Sequence, residues 1–285
     1  MAEPQPLGHE LTEQRAIDDN RRLWDAWTGI HVGSEFYDVD SFRDGRRPIR
    51  LADYELAEVG PVDGKRLLHM QCHFGLDTLS WARLGARVTG ADFSHVAIEA
   101  ARRLADEIGL EANFVESDIY RLPEVLGGEY DVVYTSGGVL GWLPRVAPWA
   151  QVAAHFVKPG GFLYVTEIHP VAQAFADDDV TPGELRLGYP YWEHATPITA
   201  HVQGSYADRT APTEGLVEHG WDHSMGEIVT AIADAGLRID FLHEFDSVPW
   251  PVTWLERGDD GRYRLPADAG GQLPLYFSMK ASRRS

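Results

Sequence analysis

The chain has 285 residues, enough for one large domain or two small ones. Hydrophobic residues make up 44% and charged residues 24%, a globular balance that excludes intrinsic disorder, collagen and a short disulfide scaffold. Lys plus Arg number 25 against 44 Asp plus Glu, and a formal net charge of −19 repels phosphate backbones, so no nucleic acid is expected as a main partner. A single cysteine, Cys72, allows no internal disulfide, and a cytoplasmic setting fits. The opening MAEPQPLGHE lacks the basic and apolar regions of a secretory leader. With no run of 18 apolar residues, no membrane span is expected.

Residues 1–10 read as a flexible polar start. Leu11, Ile17, Leu23, Trp24, Trp27 and Ile30 recur at helical spacing and predict an amphipathic helix over 11–30. Residues 31–50 read as loop, with Phe36, Tyr37 and Phe42 followed by a basic cluster of Arg43, Arg46, Arg47 and Arg50. A helix around 51–59 leads to Gly60-Pro61, and residues 1–59 are expected to form a helical lid. From there strands and helices alternate: strands at 65–71, 87–93, 112–118, 130–135 and 161–168, helices at 77–84, 96–108 and 148–157. Such alternation predicts βαβ units and a mostly parallel sheet with helices on both faces. Residues 170–222 break the rhythm with Pro170, Pro182, Pro190 and Pro197, three consecutive Asp at 177–179 and the aromatics Tyr189, Tyr191 and Trp192. A segment this long without elements of its own is functional or disordered, and it reads as a cap over a substrate. Ser224 with Glu227 three residues on is a capping box that opens a helix to about Ala235, and Gly236 stops it. Residues 237–245 and 273–281 read as two further strands, with a Pro-, Gly- and Asp-rich stretch between.

The informative stretch is 64–94. A strand runs into the turn MQCHFGLD (70–77), a helix follows, and then the strand RVTGADFS (87–94). Gly75 in a strand-to-helix turn lets a ligand approach the backbone, and the helix behind it aims free N–H groups at that ligand. Asp92 comes 17 positions after Gly75, at the end of the next strand, where its carboxylate can accept both hydroxyls of a ribose.

This arrangement resembles the class I S-adenosylmethionine-dependent methyltransferases. Their first motif is a strand, then D/E-x-G-x-G-x-G, then a helix, with an acid ending the second strand. Here the motif stands as His69-Met70-Gln71-Cys72-His73-Phe74-Gly75, the L-H-x-Q-C-H-F-G form of a bacterial small-molecule subgroup. ESDIYRLP (116–123), YDVVYTSGGVLGWLP (130–144) and VKPGGFLYVTE (157–167) resemble the later motifs. The likeness continues through 224–245 and 273–281 and so covers roughly 60–285 outside the insert. It implies a Rossmann-like α/β fold, a seven-stranded sheet ordered 3-2-1-4-5-7-6 with the last strand antiparallel. It also implies S-adenosylmethionine as cofactor, S-adenosylhomocysteine as product, and methyl transfer to a small-molecule substrate through oxygen or nitrogen. Cofactor contacts are then expected from Tyr37, Gln71, His73, Gly75, Asp92, Phe93, Ser94, Ser117, Asp118, Ile119 and Ser136. Asp118 would accept from the adenine amino group and Ile119 would flank the ring. His69 removes the usual acid, so the cofactor's amino group needs other acceptors, with the Ser136 and Gly137 carbonyls as candidates.

Trp142, Tyr191 and Trp192 are expected to build an aromatic, water-poor substrate pocket. His169, at the end of the fifth strand, is the expected general base for a hydroxyl acceptor. Trp24, Trp27, Phe36 and Tyr37 either close over the site or form the packed face of the first helix. The arginines at 43–50 either bind a substrate carboxylate or form a solvated turn. His69, Cys72 and His73 lie on a strand and its turn, where alternate side chains diverge, and no metal is expected there. His219 and His223 fall mainly in a loop before the Ser224 cap and are read the same way. Three other readings stay open: non-methyl sulfonium chemistry on the same fold, a non-catalytic binding protein, and a nicotinamide oxidoreductase. The last lacks the glycine series that cradles a pyrophosphate. Oligomeric state is left open, a homodimer included.

Overall fold

The computed structural model describes residues 12–285, apart from 178, 195, 214, 270 and 271; the expected polar start, Leu11 and Asp178 lie outside the described residues. Helix α1 (Glu13–Gly33) begins where the Thr12 side chain accepts the amide of Arg15, and it buries Ile17, Leu23, Trp27 and His31. Helix α2 (Val39–Arg43) lies in the stretch expected to be loop. Val39 and Phe42, three apart, seat in one apolar cluster with Leu79 and Ile98, and the Arg83 guanidinium covers the Phe42 ring at 4.1 Å. Helix α3 (Asp53–Val59) follows.

The alternating region yields β1 (Arg66–Met70), α4 (Leu76–Arg83), β2 (Arg87–Asp92), α5 (His95–Ile108), β3 (Asn113–Glu116), α6 (Leu122–Val125), β4 (Tyr130–Thr135), α7 (Val146–Phe156) and β5 (Val157–Ile168). The 170–222 insert holds a short helix, α8 (Pro170–Gln173), and an antiparallel pair, β6 (Ile198–His201) and β7 (Val217–Gly220). Then come α9 (Met225–Asp234), β8 (Arg238–Phe245), the small pair β9 (Glu256–Arg257) and β10 (Tyr263–Arg264), and β11 (Tyr276–Ser282). Ser224 caps α9 by accepting the Glu227 amide at 3.2 Å, as its spacing requires.

The main sheet has seven strands in the order β3-β2-β1-β4-β5-β11-β8, with β11 antiparallel to both neighbours. This is the expected 3-2-1-4-5-7-6 order, since the two small pairs stand outside the sheet. Neighbouring residues of one strand point to opposite faces. Leu67 and Val132 pack with Trp81, Val59 and Tyr164, whereas Leu68 and Val133 pack with Trp149, Phe156 and Ile232. Both faces of β1 and β4 are therefore apolar, as a parallel strand covered by helices must be. Each fully buried Leu, Val or Phe contributes about 1.5–3 kcal/mol of transfer free energy. The C-terminal ends of β1, β2, β3 and β4 then open onto one side, under α1 and the insert.

Candidate functional site

The turn after β1 has three residues with positive φ: Gln71 (60°), His73 (50°) and Gly75 (82°). A side chain in this region costs roughly 1–2 kcal/mol, so Gln71 and His73 must be held there. Gln71 Oε1 accepts the Trp149 indole N–H at 3.2 Å. The His73 amide donates to Asp92 Oδ2 at 2.8 Å, and its Nε2 meets His31 Nδ1 at 2.8 Å. The backbone thus keeps the shape of a glycine turn while carrying two polar side chains. At Gly75 a Cβ would stand 2.8 Å from the Phe114 ring, so only glycine fits before α4.

Asp92 ends β2 and is buried. Its oxygens accept the amides of His73 and Ser94 at 2.8 and 2.9 Å, yet burial pushes its carboxyl up to about 6. Asp118 follows β3 and accepts the Tyr120 amide at 2.8 Å. Phe93, Ser117, Asp118 and Ile119 line the same cavity as Gln71, His73 and Gly75. Ser94 does not line it. Its hydroxyl donates to Asp25 at 2.6 Å and accepts the Ala97 amide, so it is the N-cap of α5.

Under the turn lies a polar floor. His69 bonds Thr78 Oγ1 at 2.8 Å and Ser136 Oγ at 3.2 Å, and burial drops its imidazole to about 3. Asp77 in the first turn of α4 lines the cavity, with its carboxyl raised by burial. Glu55 accepts the Tyr134 hydroxyl and the Ala52 amide, and burial together with the Asp77 charge raises it to about 7. Behind them Glu167 accepts the amides of Gly138, Val139 and Leu140 at 2.6–2.9 Å, which fixes the loop after β4. Sequence reading passed over Asp77, Glu55 and Glu167; the available signal was an acid in a helix first turn or at a strand end.

The roof is made by α1 and the insert. Asn20 donates to the His219 carbonyl at 2.8 Å and accepts the His219 amide at 2.9 Å. Trp27 donates to the Gly204 carbonyl at 2.9 Å, and the hydroxyls of Tyr37 and Tyr206 bond each other. Trp24, Tyr37, Trp142 and Tyr206 line the cavity, while Trp27 is buried in the roof. The two readings of the early aromatics therefore both apply, divided between Trp24 and Trp27. Trp24 packs edge-on to His73 and Trp142 at 5.0 and 5.2 Å. His31, beneath it, is held near 4 by burial.

Besides Ser94, three expected site residues lie elsewhere. Side chains alternate along β5, and Ile168 rather than His169 faces the cavity. His169 Nδ1 accepts the Val171 amide at 3.1 Å and Nε2 faces Glu244 at 2.9 Å. Tyr191 accepts the Met225 amide at 3.3 Å, and Trp192 is 70% exposed; neither lines the cavity. Tyr54, Trp250 and Tyr276 supply the aromatic wall instead, brought in by α3, the β8–β9 connection and β11. His219 bonds Thr199 and His223 bonds Leu143 O, so both are structural. Among the described residues no group of three His, Cys, Asp or Glu is placed to hold a metal. No helix among them is long and apolar enough to cross a membrane.

The cavity has a volume of about 710 Å³, within the usual 300–1,000 Å³ of a small-molecule site. Its strand-end carboxylates suit hydroxyls and an amino group, its turn admits close approach, and its aromatic walls exclude water.

Residues 67–161 match the family model described as a methyltransferase domain. The ubiquinone biosynthesis O-methyltransferase of Shewanella pealeana is 32% identical over 159 residues, which is 56% of this chain and 64% of that relative. The chain thus matches less than two thirds of the length of that relative. Among solved structures, a Listeria monocytogenes protein described as an S-adenosylmethionine dependent methyltransferase superposes with a TM-score of 0.59 at 17% identity, covering 81% of this chain and 96% of its own. The SAH complex of DhpI gives 0.55 at 15% identity, covering 96% and 99%. At these identities the likeness establishes the fold: a Rossmann-like methyltransferase fold with helices on both faces of the sheet.

Proposed function

We propose that this chain is an S-adenosylmethionine-dependent methyltransferase that methylates a hydroxyl of a small molecule, with α1 and the 170–222 insert as its lid. The observation that carries this reading is the single cavity joining Asp92, Asp118 and the Gly75 turn to an aromatic wall at the strand ends. The matched domain and the O-methyltransferase named among the relatives support it and favour oxygen over nitrogen.

The residues present fit the cofactor. Asp92, Asp118, Phe93 and Ile119 line the cavity, where Asp92 would accept from the ribose hydroxyls and Asp118 from the adenine amino group, with Phe93 and Ile119 as apolar flanks. Gly75 keeps the turn open, since any Cβ there would displace the Phe114 ring. S-adenosylmethionine supplies a methyl group already activated on a sulfonium. The protein's part is to hold the acceptor in line and dry, and positioning of this kind is worth on the order of 7–11 kcal/mol in favourable cases. The acceptor wall is Tyr54, Trp250 and Tyr276, with the Trp250 and Tyr276 rings 5.5 Å apart. Glu55 lies beside Tyr54 in sequence and takes the hydroxyl proton in place of His169, because it faces the cavity and sits near 7, the range that suits a base.

The test is incubation with methyl-labelled S-adenosylmethionine and a panel of hydroxylated small molecules, followed by product analysis. Acceptor-dependent release of S-adenosylhomocysteine is the expected outcome. Methylthioadenosine instead would indicate other sulfonium chemistry. Absence of binding by either adenosyl compound would leave the non-catalytic reading. Glu55→Gln should lower turnover about 100-fold with S-adenosylhomocysteine affinity kept; unchanged turnover removes Glu55 as base.

A further inference from the structure

Among the charged cavity residues that the adenosine side and the acceptor wall leave unused are two of opposite charge, Asp77 and Arg50. Asp77 sits in the first turn of α4, with the Ser136 hydroxyl and the Arg50 charge as the groups that favour its ionised form. Arg50 precedes α3 and is partly buried. Its Nη2 donates to the Phe36 carbonyl at 3.2 Å, while Nη1 is buried with no partner. An unpaired buried guanidinium nitrogen is unfavourable unless a ligand completes it. Both residues line the cavity, and each feels the other's charge, yet no direct ion pair joins them. A gap flanked by one cation and one anion suits a zwitterion. His69 at the end of β1 cannot serve as the anion, because it is neutral and its two nitrogens are engaged by Thr78 and Ser136.

We propose that Arg50 and Asp77 clamp an α-amino-acid zwitterion, Arg50 holding the carboxylate and Asp77 the ammonium. This rests on the cofactor reading above, and the occupant is the amino-acid end of S-adenosylmethionine. Motif one then lacks its acid at His69 and carries one eight residues later, at Asp77 in the first turn of α4. Ser136 holds Asp77 in place as well as bonding His69.

The experiment is calorimetric titration of the full chain with S-adenosylhomocysteine, with 5′-methylthioadenosine and with L-methionine. Methylthioadenosine keeps the adenosine and the thioether but has no amino-acid end. The unaltered chain is expected to bind S-adenosylhomocysteine much more tightly than methylthioadenosine. Arg50→Ala and Asp77→Asn should each weaken S-adenosylhomocysteine on the order of 10- to 100-fold and leave methylthioadenosine unchanged, which also shows the fold intact. Arg50→Lys should fall between, since it keeps the charge but not the planar fork. Equal weakening of both adenosyl ligands, or no effect on S-adenosylhomocysteine, overturns the clamp. Equal affinity of the unaltered chain for the two overturns the clamp alone. L-methionine binding that both variants abolish, with neither adenosyl compound bound, keeps the clamp and overturns the cofactor reading. Binding of none of the three overturns both.

Discussion

In the floor of the cavity, Asp92 meets the His73 amide 19 residues away and the Ser94 amide two residues away. In the roof, Asn20, Trp27 and Tyr37 reach partners 199, 177 and 169 residues distant. The floor rides on strand ends whose positions are set by the ladder between β1, β2 and β4, in which Met70 pairs with Ala91 and Leu68 with Val133. Among the described residues the roof has little ladder of its own: the four paired positions of β6 and β7 and the isolated Phe175–Leu187 bridge. It is held by a few side chains bonded to distant backbone. Damage to the floor should therefore act on the whole fold, whereas damage to the roof should act locally.

The largest effect is expected from Gly75→Ala. A positive φ with a methyl against Phe114 should cost about 2–5 kcal/mol, read as a lower denaturant midpoint with an unchanged slope. An unchanged midpoint would mean that the turn relaxes and that the floor yields around Phe114.

Second is the pH response of the floor. Glu55 is raised from 4.5 to about 7 in the folded chain, so the folded state holds its proton more tightly than the unfolded one. Its contribution is complete below about pH 4.5 and is lost as pH rises to about 7, a change of roughly 3 kcal/mol at about 1.4 kcal/mol per pH unit. Asp92, raised from 3.8 to about 6, adds a loss in the same direction at lower pH. Glu55→Gln should flatten the stability profile between pH 5 and 7. A profile as steep as that of the unaltered chain would place the titration elsewhere.

Third, Asn20→Ala leaves the amide and carbonyl of His219 unpaired, at about 2 kcal/mol. Amide exchange should quicken over β6 and β7 while protection of β1 and β4 holds. Uniform loss of protection would erase the distinction between floor and roof. The smallest effect is Tyr206→Phe, which removes one bond to Tyr37 and should cost about 1 kcal/mol or less, seen as faster proteolysis within the insert.

Hydrophobic alternation and the Gly75 turn were enough to read the strands and a mostly parallel sheet, and the likeness of the motifs to the class I methyltransferases supplied the strand order and most of the residues that line the cavity. Asp92, Asp118 and Gly75 are sited by their places at strand ends, and those places follow from local periodicity. Ser94 illustrates a limit: a serine after the β2 acid is equally good as a ligand contact and as a helix N-cap, and the cap won. His169 illustrates another, since which face of β5 looks into the cavity depends on the register with β4 and β11.

The sequence by itself determined the fold class and the strand-end carboxylates, because burial and chain reversal are dictated by short-range pattern, while the strand order followed from the likeness of its motifs to the class I methyltransferases. Only the tertiary structure decided which aromatics make the wall, that Tyr191 and Trp192 stand outside it, and that Asp77 and Arg50 face one gap. Those outcomes depend on contacts between segments far apart in the chain, and a side chain there is placed by packing and by the need of buried polar groups for partners. Neither leaves a periodic trace in the sequence.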